Sequence, residues 1–220
     1  MKDFSQLKKN LKKDFSLLKK IKLAVLGDTA TQFLMQAIRG AGYDHGLDLQ
    51  TWEADFNQIE RQVFDTNSEL YQFEPEIIIV FQSSHKLLGK YNKLNTEKHC
   101  SLASAELDLI ENIYSTLKNN LKTKIIYYNY TEIDDSVFGK KLFFQPSIYI
   151  NTEMVLSIDV LPQLASKTID LINAINGRFK KCVVLDLDNT IWGGVIGDDG
   201  LENIQLGSLG IGKAFSEFQY

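Results

Sequence analysis

Two aspartates two residues apart, Asp186 and Asp188, close the apolar run in "CVVLDLDNT". A continuous run of valine and leucine reads as a strand covered on both faces. In an open parallel sheet, ligands bind beyond the carboxyl ends of the strands. Asp186 therefore sits where a buried strand would deliver a side chain to a crevice. Carboxylates this close repel each other unless a cation lies between them. Hard oxygen donors select Mg²⁺, which keeps waters and substrate phosphate oxygens in its shell. A strand-end aspartate can equally cap a turn, and Asn189 and Thr190 are turn formers. The pair alone leaves both readings open.

The longer stretch is more specific. "DLDNT" after an apolar run resembles the first motif, Asp-x-Asp-x-Thr, of the haloacid dehalogenase (HAD) superfamily. The continuation "IWGGVIGDDG" with "LENIQLGSLGIGKAFSEFQ" is similar to the FkbH-like group, HAD phosphatase subfamily IIIC. The resemblance implies a phosphatase or phosphoryl-handling transferase that works through an aspartyl-phosphate. Asp186 would be the nucleophile and Asp188 the general acid–base. Mg²⁺ would be held by the Asp186 carboxylate and the Asp188 main-chain carbonyl. Asn189 and Thr190, with nearby main-chain N–H groups, would hold the phosphoryl group. The implied substrate is a phosphorylated small molecule, and the glyceryl-loading members of the group imply an acyl carrier protein as partner. Leu187 between the aspartates gives this motif no thiol for an acyl group.

The resemblance also implies a one-turn squiggle and a β-hairpin flap over the site. Gly193 and Gly194 suit the irregular turn, and "GDDG" suits a hairpin tip. Trp192 is expected either to touch substrate or to pack. A HAD site further needs a Ser or Thr, a Lys and an acidic pair. These are expected after Tyr220, because Lys213 follows the first motif too closely. The chain is thus expected to be the N-terminal part of a longer protein, inactive alone.

The elements that would position these residues alternate along the chain. "IKLAVLGD", "LDLQTWEA", "PEIIIVFQSS" and "KIIYYNYT" read as strands. "TATQFLMQAIRGAG", residues 56–70, "SLASAELDLIENIYSTLKNN" and "LPQLASKTIDLINAING" read as helices. Residues 132–157 read as a loop with a short strand near "SIYI". Alternation at this spacing predicts right-handed parallel crossovers. The expected fold class is α/β, with a doubly wound parallel-sheet domain, SGNH-like or flavodoxin-like, followed by the start of a HAD-like Rossmannoid domain. The expected divisions are a basic amphipathic helix over 1–22, an α/β domain over 23–178, and an incomplete phosphatase domain over 179–220. Cys182 is expected to be a small core residue of the strand it opens.

A second candidate site lies in the first domain. "LAVLGDTATQFL" resembles the strand ending in Gly-Asp-Ser that begins SGNH esterases, with Thr29 at the serine position. Those enzymes also need a histidine from an Asp-x-x-His motif near the end of the domain. None occurs between residues 130 and 177, and the spacing of His85 does not suit the role. The expectation is a binding cleft lined by Thr29, Gln82 and Ser83 at strand ends.

Charge narrows the partners. Of a net −4, residues 1–22 carry eight lysines against two aspartates, so the remainder is strongly acidic. That argues against general nucleic-acid binding. No apolar run is long enough to span a bilayer. Two cysteines without metal or disulfide spacing suit a cytoplasmic protein. The rival to an enzyme is a non-catalytic α/β module, with vestigial aspartates, that docks a carrier protein or partner enzyme.

Overall fold

The computed structural model describes residues 2–130, 144–178, 182 and 184–219. The chain divides into two compact units, residues 1–177 and 178–220. Residues 132–143 of the expected loop over 132–157, and Val183 of the aspartate motif, lie outside the described residues.

The first unit opens with α1 (Phe4–Asn10), whose capping box joins the Asp3 side chain to Gln6 N–H and the Gln6 side chain to Asp3 N–H. Its apolar stripe continues in sequence beyond Asn10, but the helix does not. Asp14 Oδ1 accepts from Ser16 N–H at 2.8 Å, a local turn bond that competes with the helical ladder. The expected helix over 1–22 is therefore much shorter. Its last residues instead open β1 (Lys19–Gly27), recruited by pairing with Leu47 onward.

The unit continues with α2 (Gln32–Asp44), β2 (Leu47–Glu53), α3 (Ile59–Phe64), α4 (Glu69–Phe73) and β3 (Ile77–Phe81). Then come α5 (Ser84–Lys93), a 3₁₀ turn (Thr96–Ser101), α6 (Leu102–Asn120) and β4 (Lys124–Tyr128). It ends with α7 (Pro146–Thr152) and α8 (Leu161–Ile175). The strands form one parallel sheet in the order β2-β1-β3-β4, as in flavodoxin-like folds.

Alternate residues of each strand point to opposite faces. Ile21, Leu23 and Val25 of β1 meet α2 and α8 on one face. Ala24 and Leu26 meet α3, α4 and α6 on the other. The α/β doubly wound expectation therefore holds. Some elements differ: "SIYI" is part of the helix α7, with Pro146 preset for a first helical turn. The expected helix over 56–70 is two short ones, separated where Asp65 Oδ1 takes Asn67 N–H at 2.9 Å.

The second unit contains α9 (Ile196–Asp199) and α10 (Gly210–Phe218). Among its described residues there is no strand, only isolated bridges. The expected strand into Asp186 is not formed at Val184 and Leu185, which are 90% and 42% exposed. Cys182 is exposed too, not a core residue. A strand needs at least one hydrogen-bonded neighbour, and none pairs with this segment among the described residues.

Candidate functional site

In the second unit, the motif folds into a compact turn. Thr190 N–H and Ile191 N–H both donate to Leu187 O, at 3.2 and 2.8 Å. Asn189 takes a left-handed backbone, φ 55°, and its Oδ1 accepts from Gly194 N–H at 2.9 Å. Asparagine tolerates that conformation because its side chain bonds locally. Gly193 exchanges both main-chain bonds with Gln205, at 3.1 and 2.7 Å. A Cβ at Gly193 would lie 2.8 Å from side-chain atoms of both Gln205 and Phe215, so a larger residue there would have to displace them.

The expected hairpin flap is present only at its base. Its arms meet at Gly193 and Gln205, but "IGDD" is the helical turn α9, not a hairpin tip. Asp199 Oδ2 accepts Val195 N–H at 2.8 Å and caps that turn. A local carboxylate acceptor thus outcompetes the two-residue hairpin.

The two aspartates have different surroundings. Asp186 is exposed, and among the described residues its Oδ1 accepts only the N–H of Leu187, at 2.9 Å. Asp188 is half-buried. Its Oδ1 accepts from Trp192 Nε1 and from Ile196 N–H, each at 3.1 Å. Trp192 thus has a definite task that its residue type alone did not reveal: it fixes the Asp188 carboxylate. The N–H groups of Leu187, Asn189, Thr190 and Ile191 are spent within the turn. Lys213 pairs with Glu217 at 3.4 Å on α10. Among the described residues, no group of three or more His, Cys, Asp or Glu is placed to hold a metal. Asp186 does supply hard oxygen, the donor type Mg²⁺ takes.

In the first unit, a cavity of about 760 Å³ opens beyond the carboxyl ends of β1 and β3. Asp28 and Gln82 line it from the strand ends, Arg61 from α3, and His85, Lys86, Lys90 and Lys93 from α5. Asp28 Oδ2 accepts Ser83 N–H at 2.7 Å, while its Oδ1 is buried without a hydrogen-bond partner among the described residues. Burial holds the Asp28 carboxyl above its ordinary 3.8, against the bonds from Ser83 and the charges of Lys86 and Lys90.

Of the three residues expected in this cleft, Gln82 lines it. Ser83 is buried and caps α5, its Oγ accepting Lys86 N–H at 3.2 Å. Thr29 is 1% exposed, and its hydroxyl has no hydrogen-bond partner. A nucleophile needs an adjacent base, and among the described residues none is hydrogen-bonded to the Thr29 hydroxyl. His85 instead stacks on Phe144, ring centroids 3.7 Å apart. The basic residues of α3 and α5 escaped the sequence reading because Arg61 and Lys93 are 32 residues apart and only the fold joins them.

The FkbH, N-terminal domain family matches residues 22–142 and 137–173. The chain is also similar to the crystal structure of the N-terminal part of the protein BF1531 from Bacteroides fragilis, which contains a phosphatase domain and is complexed with Mg. That likeness has a TM-score of 0.87 and 42% identity, covering 100% of this chain and 69% of that one. No curated protein matches the chain.

Proposed function

The chain belongs to the FkbH family, and on that premise we propose that its second unit carries the first motif of a Mg²⁺-dependent phosphatase site. The observation behind this reading is the anchoring of Asp188 Oδ1 by Trp192 and Ile196 beside an exposed Asp186. It is supported by 42% identity to a protein described as containing a phosphatase domain complexed with Mg.

Asp186 uses its free carboxylate oxygen to attack phosphorus. The bond from phosphorus to the leaving oxygen breaks, and Asp188 gives that oxygen its proton. A water then attacks the aspartyl-phosphate while Asp188 takes the water's proton. Inorganic phosphate leaves, and both carboxylates are restored. Because Asp188 Oδ1 already accepts two hydrogen bonds, Oδ2 is the oxygen that carries the proton. Bound Mg²⁺ would be held by the Asp186 carboxylate and the Asp188 carbonyl, and would neutralise charge on nucleophile and phosphate together. Thr190 remains the candidate for a phosphate contact, whereas Asn189 closes the turn.

The substrate class is a phosphorylated small molecule. Glyceryl transfer to an acyl carrier protein is the subsidiary reading. Among the described residues no group of three or more candidate ligands gathers at the motif, and the reading places turnover in the full-length protein. The test is a panel of phosphorylated metabolites given to the full-length protein with Mg²⁺. Turnover should vanish in Asp186→Asn, a nearly isosteric change that leaves folding intact. Wild-type rates in that variant would refute the assignment, and a full-length wild type inactive on every phosphate would favour a docking module.

A further inference from the structure

The cavity of the first unit has a charge pattern that the phosphatase reading does not use. Four basic side chains, Arg61, Lys86, Lys90 and Lys93, line it against two acidic ones, Asp28 and Glu60, in a chain of net charge −4. Lys86 and Lys90 have partners, Glu153 at 3.1 Å and Glu106 at 2.7 Å. Arg61 makes its side-chain bond to neutral Gln58, at 3.4 Å, and neither it nor Lys93 forms an ion pair among the described residues. Both are exposed and so belong to the rim. Deeper in, Gln82 is 6% exposed, and its Oε1 accepts the Tyr127 hydroxyl at 2.5 Å. That bond leaves the Gln82 NH₂ as a donor for whatever fills the cavity.

The position is where ligands enter this architecture. The strand order turns between β1 and β3, and the crevice there is the general binding place of open α/β sheets. A volume of about 760 Å³ is within the range of pockets for small organic ligands, of order 300–1,000 Å³. It is far larger than an inorganic ion requires. The acid is at the strand end and the bases are outside it, so a ligand would place its anion outward and its uncharged polar part inward.

We propose that this crevice is a second ligand site, which binds a small organic oxyanion through Arg61 and Lys93 and receives its polar body at Gln82. Two oxyanions share the required chemistry, a phosphate monoester and a carboxylate. The proposal is of binding alone and assigns no nucleophile, since the Thr29 hydroxyl is buried and makes no hydrogen bond among the described residues. All its residues belong to the first unit, so it stands or falls separately from the Asp186 motif.

Gly89 of α5 provides a test that removes no charge. It lines the cavity, and a Cβ there would meet nothing within 4 Å. Gly89→Leu would therefore fill the space, and leucine is the better helix former. The 1–220 chain is titrated by calorimetry with phenyl phosphate, benzoate and benzyl alcohol, in EDTA so that no Mg²⁺ supports the other motif.

Phenyl phosphate or benzoate should bind saturably and benzyl alcohol should not; whichever anion is tighter identifies the class. An Arg61→Gln/Lys93→Gln double variant should lose about tenfold or more in affinity, the effect of removing charge-assisted bonds. Gly89→Leu should abolish binding while keeping its melting temperature, and Lys9→Gln on α1 should bind as wild type. In the wild-type chain, the bound anion should shift the Gln82 side-chain amide resonance. Equal binding of the alcohol, full affinity in the double variant or in Gly89→Leu, an unmoved Gln82 amide, or loss of binding in Asp186→Asn would each overturn the proposal.

Discussion

At the scale of single residues, the same carboxylate chemistry has opposite consequences in the two units. Asp188 is held by two donors to one oxygen, and in the proposed mechanism the other oxygen carries the proton. An acid matters most when the leaving oxygen is a poor leaving group. Asp188→Asn in the full-length protein should therefore lose more activity on alkyl than on aryl phosphates. Equal losses would make Asp188 a structural anchor for Trp192. Asp28 is held by Ser83 but is otherwise poorly solvated, and burial raises its pKa from 3.8. An acid whose folded pKa exceeds its unfolded value costs stability as pH rises from the unfolded value through the folded one. Asp28→Asn removes that cost and keeps an oxygen for Ser83 N–H. The variant should melt above wild type at neutral pH, and its advantage should disappear below pH 3.8. A pH-independent difference would show that the change acts through packing. The Asp-x-Asp spacing was legible in sequence because its chemistry is local. The rim of the cavity was not, because Arg61 and Lys93 belong to different helices.

At the scale of elements, contact geometry decides where periodicity misleads. The parallel strands were legible because both faces are buried, so Ile77 to Phe81 is apolar throughout. The N-terminal stripe was legible as amphipathic but not in length. Nothing in the spacing of Leu11, Phe15 and Leu18 shows that Asp14 will close a turn on Ser16 or that Phe15 will set its ring against Tyr43, centroids 5.0 Å apart. "SIYI" misled because isoleucine and tyrosine favour strands, while Pro146 sets a helix start. The segment into Asp186 has strand composition, but a strand also needs partners. The placement of α1 depends on one close approach. A Cβ at Gly40 of α2 would lie 2.3 Å from Leu7 O, and Asn10 Nδ2 donates to Gly40 O at 2.8 Å. Alanine gains about 1 kcal/mol of helix propensity over glycine, but overpacking costs about 1–3 kcal/mol. Backbone atoms cannot swing aside as a side chain does, so overpacking wins. Gly40→Ala should lower the melting temperature, by up to about 8 °C for a net loss of up to about 2 kcal/mol. A higher melting temperature would mean that α1 shifts freely.

At the scale of the molecule, the two units differ in what they bury and in what their chemistry has available. Both apolar clusters lie wholly within the first unit, running from Leu7 to Ile172 across the two faces of one sheet. In the second unit, Val184, Leu187, Leu201, Leu209 and Ile211 are more than half exposed. The first unit should therefore hold its own stability, and a 1–177 chain should melt within a few degrees of the 220-residue chain, since about 1 kcal/mol shifts a chain of this size by about 2–4 °C. The same contrast governs activity. The described residues give Asp186 and Asp188, no third metal-holding group beside them, and a lysine, Lys213, already engaged with Glu217. Mg²⁺ demands near-octahedral oxygen coordination and gives up its waters reluctantly, so the proposed carboxylate and carbonyl would by themselves hold it weakly. Without a cation at the motif, phosphate and the Asp186 carboxylate repel each other. The 220-residue chain should consequently show no multiple-turnover hydrolysis of an aryl phosphate at any practical Mg²⁺ concentration, and calorimetry should find only weak Mg²⁺ binding. Assay beside Asp186→Asn decides the point: turnover by the wild-type chain that the substitution abolishes would show that the motif acts without a lysine or acidic pair.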